Sequence, residues 1–127
     1  MSKVIDVSIA CPIDVTKAIE QFSGQREMFF KMLKKLEGLS LLPNLREIAL
    51  AVDAKPRNYT AIKEKAHSLK GASGYIAAGP VHYCCYFIQD NYNSENFDAM
   101  MAYYPALVES SIEYIRYSRK IVAEFEG

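Results

Sequence analysis

The amino-acid sequence predicts an all-α fold, an up-down antiparallel four-helix bundle with an additional short N-terminal helix. Two observations carry that expectation. From Ile13 onward apolar residues recur at three- and four-residue steps, whereas no run alternates with the period of two that marks a half-buried strand. The connections between the long periodic segments are short, which makes consecutive helices antiparallel neighbours.

Residues 1–12 form a short mixed lead with no helical period, and residues 13–127 form the bundle domain. Val15, Ala18, Ile19 and Phe22 make a brief apolar stripe that stops at Ser23-Gly24. A second segment runs from about Gln25 to Ala54, with Phe29, Met32, Leu33, Leu36, Leu39, Leu45, Ile48, Ala49 and Val52 on its apolar face. Pro43 lies inside it and should kink or split it, because proline lacks an N–H and crowds the preceding turn. Lys55-Pro56-Arg57-Asn58 breaks the chain before a third helix over about Tyr59–Ala77. Ala78-Gly79-Pro80 turns it, and Pro80 suits the first turn of a fourth helix ending near Tyr92. Ser94 is a good N-cap for the last helix. Its seam is read as Phe97, Met101, Tyr104, Val108, Ser111, Ile115, Ser118, Val122 and Phe125, with a kink at Pro105.

The bulk numbers narrow the function classes. With 127 residues, half of them apolar, the chain fits one ordinary domain with a real core. Lys+Arg and Asp+Glu balance at 15 each, without the basic surplus expected of a protein that binds nucleic acid or an anionic membrane surface. Neither partner is expected. Cys11, Cys84 and Cys85 are an odd count with two adjacent members, a poor disulfide framework. Reduced thiols fit a cytosolic or nuclear protein. No signal peptide or membrane-spanning run is evident.

The chemistry concentrates in Ala66-His67-Ser68-Leu69-Lys70-Gly71-Ala72-Ser73-Gly74. At about 100° per residue, Ile62, Ala66, Leu69, Ser73 and Ile76 share the core face, and His67 points away from it. Lys63, Lys70, Gly71 and Gly74 fall on the outward side with the histidine. A glycine in a helix interior costs roughly 1 kcal/mol relative to alanine, so glycines on an exposed face suggest that something approaches the backbone closely. An exposed imidazole is largely neutral at pH 7 and can act as a nucleophile. Lys70 would offset phosphate charge once a bond to phosphorus forms.

His67-Ser68-Leu69-Lys70-Gly71-Ala72-Ser73 resembles the signature of histidine-containing phosphotransfer domains, a histidine, any residue, leucine, lysine and glycine followed by small residues. The resemblance extends over roughly residues 13–125 in helix order, loop lengths and a proline in the second helix. The family favours a Gly-Ala pair ten and eleven positions after the histidine, where this chain has Ala77-Ala78, which touches only the turn geometry. The resemblance implies that His67 is phosphorylated, that Lys70 balances phosphate charge and that Gly71 gives a partner access. It also implies a monomer whose partners are receiver domains of a hybrid sensor histidine kinase and of a response regulator. No cofactor is expected on this chain, and Mg²⁺ is expected on the partner receiver. Counting outward from Ala78 puts Gln89 level with His67, eleven residues away on either side, so its amide can reach the imidazole or its phosphate. Lys63, Gly74 and Ile13 are candidate partner-binding residues, Ile13 because its phase opposes the first apolar stripe.

Other constellations are weaker. Glu64-Lys65-Ala66-His67 is half of a di-iron motif, but His82 lacks the second copy, so no metal site is expected. The vicinal thiols read as core. There is no Gly-rich phosphate loop, so self-phosphorylation is not expected. The rival readings are a non-catalytic helical adaptor that binds receiver-like partners, and a metal or redox bundle using His67, His82 and the thiols.

Overall fold

The computed structural model describes residues 11–126. Most of the lead, residues 1–10, and Gly127 lie outside the described residues. The elements are α1 (Val15–Gln21), α2 (Arg26–Lys35), a π-helical turn (Leu36–Leu41), α3 (Leu42–Asp53), α4 (Tyr59–Tyr75), α5 (Gly79–Asn93) and α6 (Phe97–Glu126). No strand occurs among the described residues. The fold is the expected all-helical bundle with a short N-terminal helix.

The second segment is a single helical path that widens before Pro43. Leu36 and Leu41 are both buried, a five-residue step in place of the usual three or four. The π turn accommodates that extra residue, and Pro43 then sits in the first turn of α3, where its missing N–H costs little. Leu39 was expected in the core but is 78% exposed, because the shifted frame puts Leu41 inward instead.

Helices α4 and α5 form a hairpin. Its tip ends α4 with Ala77 in the left-handed region (φ 57) and an Ala78 N–H to Ser73 carbonyl bond of 2.9 Å, a Schellman-type stop. This is the position at which the related family favours glycine. The long α6 packs beside α5, runs through Pro105 without a break, and extends past the tip to meet α2. There Tyr114 Oη donates to the Leu33 carbonyl (3.1 Å), Phe125 stacks on Phe30 (4.2 Å between centroids), and Arg119 and Lys34 pair with Glu37 and Glu126.

Three expectations are corrected here. The α6 seam is Met100, Tyr103, Leu107, Ser110, Ser111, Tyr114, Ser118 and Val122, about one residue out of phase with the expected one over its first half. Ser94 caps the end of α5 with its hydroxyl on the Asp90 carbonyl, and Asn96 Oδ1 accepts the Ala99 N–H at the start of α6. Ile13 is only 1% exposed. It precedes the Asp14 N-cap as an apolar residue locking the entry of α1, so it is no docking residue. The Asp14 N–H donates to the Ala77 carbonyl (2.9 Å), fastening α1 over the hairpin tip.

Candidate functional site

Helix α4 starts at Asn58, whose Oδ1 accepts the Ala61 N–H (3.0 Å). It buries Ile62, Ala66, Leu69 and Ser73, and the 3.6-residue period then turns His67 to solvent. Ser73 Oγ donates to the Leu69 carbonyl (2.7 Å) and serves packing. On α5, Val81, Cys84, Cys85 and Ile88 face the core, which leaves Gln89 on the flank toward α4.

The two helices run antiparallel in a register centred near Ala78, and five cross-helix contacts accompany it. Gln89 Nε2 lies 2.9 Å from His67 Nδ1. Lys70 Nζ lies 6.0 Å from the centre of the Tyr86 ring. Lys63 Nζ lies 5.1 Å from the centre of the Tyr92 ring, whose hydroxyl is 3.0 Å from Thr60 Oγ1. His82 Nδ1 lies 3.0 Å from the Lys70 carbonyl, an oxygen that can only accept, so this ring nitrogen carries the proton. An amide nitrogen can only donate, so in this setting of the Gln89 amide Nε2 donates to His67 Nδ1, and the ring's other nitrogen, Nε2, is the one Gln89 does not engage. Gln89 Oε1 is buried and has no hydrogen-bond partner.

The two glycines differ. A Cβ on Gly71 would meet nothing within 4 Å, so the backbone beside His67 is bare. A Cβ on Gly74 would stand 3.0 Å from His82 Nδ1 and 3.2 Å from Cε1. The close approach that Gly74 permits is therefore made by this chain's own α5, which corrects its assignment as a partner-binding glycine. The ion pairs among the described residues leave Lys63 and Lys70 without a carboxylate partner. The two ammonium groups stand on either side of the imidazole with no paired carboxylate to offset them among the described residues.

Comparison with known protein families matches residues 24–116 to the Hpt domain. The chain belongs to the Hpt family. The match takes in α2 to most of α6, with His67, Lys70, Gly71 and Gln89 inside it. Membership in the Hpt family associates the chain with histidine phosphotransfer in phosphorelays. No curated protein and no solved structure matches the chain.

Elsewhere in this Hpt domain the vicinal thiols of Cys84 and Cys85 are plain core groups. Burial pushes the Cys84 thiol up to about 11 against a lowering contact with Ser110, and raises Cys85 further. Neither is a ready nucleophile. Among the described residues no group of three or more His, Cys, Asp or Glu side chains is arranged to hold a metal, and no helix is long and apolar enough to cross a membrane. Tyr86 was missed from sequence, although it lies as far beyond Ala78 as Lys70 lies before it, and the counting that found Gln89 would have found it.

Proposed function

We propose that this Hpt domain is a phosphorelay intermediate that takes a phosphoryl group onto His67 from a receiver-domain aspartate and passes it to the aspartate of a response regulator. The observation that carries the reading is the solvent-facing His67 ring, gripped at Nδ1 by Gln89 and flanked by the bare backbone of Gly71. In the reactive arrangement the Gln89 amide is turned so that Oε1 accepts Nδ1–H. The Nε2 lone pair then faces outward. It attacks the phosphorus of the aspartyl phosphate, the bond from phosphorus to the carboxylate oxygen breaks, and the aspartate leaves as a carboxylate. The second transfer reverses these roles with a new aspartate.

Catalysis on this side is positioning and charge. Lys70 and Lys63 offset the negative charge of the transferring group. The receiver supplies Mg²⁺ and the acidic pocket, and this chain carries no cofactor. It works as a monomer in the cytoplasm or nucleus.

The test is incubation with a phosphorylated receiver domain and Mg²⁺. Acid-labile, base-stable label is expected on the wild type and absent from His67→Gln. Label that persists on His67→Gln overturns the assignment, and tight receiver binding without any label supports an adaptor instead.

A further inference from the structure

Two lysines flank His67 along α4, and each ends over a tyrosine of α5. Lys63 lies one turn before the histidine with Nζ 5.1 Å from the Tyr92 ring centre, and Lys70 one turn after with Nζ 6.0 Å from the Tyr86 ring centre. Tyr86 and Tyr92 stand one turn on either side of Gln89, the residue that holds the imidazole. The α5 ridge of Tyr86, Gln89 and Tyr92 therefore meets the α4 ridge of Lys70, His67 and Lys63 member for member. Aromatic rings differ from the usual lysine partners in one respect that matters here. A carboxylate would hold an ammonium by cancelling its charge, whereas a ring face attracts it through a quadrupole and leaves the net charge intact. An unpaired lysine on a helix surface would otherwise sample many rotamers and present its charge diffusely.

We propose that Tyr86 and Tyr92 are positioning residues that hold Lys70 and Lys63 as two un-neutralised positive charges bracketing the nucleophile. The effect is a preset electrostatic frame for a phosphoryl group whose negative charge is spread over three oxygens in transit, at lower entropic cost than ordering the lysines during transfer. Tyr92 is anchored in turn by the contact between its hydroxyl and Thr60 Oγ1 (3.0 Å), so its ring is fixed before any partner arrives. The proposal deepens the phosphorelay reading and rests on it for its kinetic consequence, but the geometry can be tested without any phosphate.

The first measurement is NMR of the lysine side chains in the full chain. Ring-current shifts should move the Hε resonances of Lys63 and Lys70 upfield in the wild type. These shifts should persist in Tyr86→Phe and Tyr92→Phe and disappear in the corresponding leucine variants. Unshifted lysine resonances in the wild type overturn the proposal whether or not the chain carries phosphate. The second measurement is the rate of phosphoryl transfer from a labelled receiver. Tyr86→Leu should slow it by about two- to fivefold, the ratio matching an exposed cation–π contact. Tyr86→Phe should transfer at close to the wild-type rate. In a Lys70→Met background, Tyr86→Leu should add nothing further. An equal slowing in that background would mean that Tyr86 acts through docking and not through Lys70, and the proposal falls. If the wild type takes no label at all, the phosphorelay reading fails, while the NMR result still decides the role of the rings.

Discussion

Replacing Gly71 with alanine should make the protein more stable. Gly71 lies inside α4, is exposed, and has a backbone on which a new Cβ would meet nothing within 4 Å. With no strain and no clash, the change reduces to intrinsic helix propensity, about 0.8–1.0 kcal/mol in favour of alanine. An unfolding entropy of about 2.1 cal/mol/K per residue converts this to a rise in Tm of roughly 3–4 °C for a chain of this size. Gly74→Ala is the internal control. It gains the same propensity, but its Cβ would press His82 Nδ1 at 3.0 Å and force the ring off the Lys70 carbonyl. The lost bond costs about 0.5–1.5 kcal/mol, so the net change should be near zero or destabilising. Thermal and urea unfolding followed by circular dichroism measures both. A Gly71→Ala protein no more stable than wild type, or a Gly74→Ala protein stabilised equally, would refute the reasoning. The functional counterpart is Gly71→Gln, which should fold normally yet transfer phosphate more slowly; transfer at the wild-type rate would remove the access argument.

Other outcomes follow from the same geometry. Gln89→Leu should slow transfer by about two- to tenfold through loss of the bond to His67 Nδ1, without lowering stability, because it also removes the amide atom that stays buried and unpartnered whichever way the amide is turned; a lower urea midpoint with an unchanged rate would contradict this. Tyr114→Phe should cost about 1 kcal/mol by leaving the Leu33 carbonyl without its 3.1 Å donor, as a shift in urea midpoint at constant m would show. A thiol reagent should label Cys11 rapidly in the native protein and reach Cys84 and Cys85 only on unfolding. The Cys84 thiol ionises at about 11 when folded against 9.0 ordinarily, so its neutral form contributes stability that is present below pH 9.0 and lost as pH rises through about 11. The alkaline fall in urea midpoint should therefore be shallower in Cys84→Ala, and an identical slope would count against it.

Much of this was legible in the sequence for identifiable reasons. Helix α4 has a single apolar stripe, so the phase of His67 had one solution, and the tight turn at Ala78 fixed the level of Gln89. Helix α6 was different. Met100-Met101, Tyr103-Tyr104, Leu107-Val108 and Tyr114-Ile115 are adjacent apolar pairs, so two stripes about 100° apart fit the helical period equally well. Only the tertiary neighbours on α2 and α5 choose between them. The burial of Ile13 was hidden because the backbone around the Asp14 N-cap is not helical, so helical phase does not apply to it. Gly74 and Gly71 look alike as letters. What separates them is a histidine eight residues further on, brought back by the hairpin.

The unequal helix lengths have a practical consequence. Pro80 at the hairpin tip and Ser110 and Ile112 of α6 line one shared pocket, which marks where α6 passes the tip. At about 1.5 Å of rise per residue, His67 lies roughly 16 Å to one side of that level and Glu126 roughly 20 Å to the other. A surface linker or fluorophore attached at the far end of α6 would therefore stand well clear of any receiver seated on the imidazole face, and the relay could be watched on a sensor chip without the anchor touching the exchange.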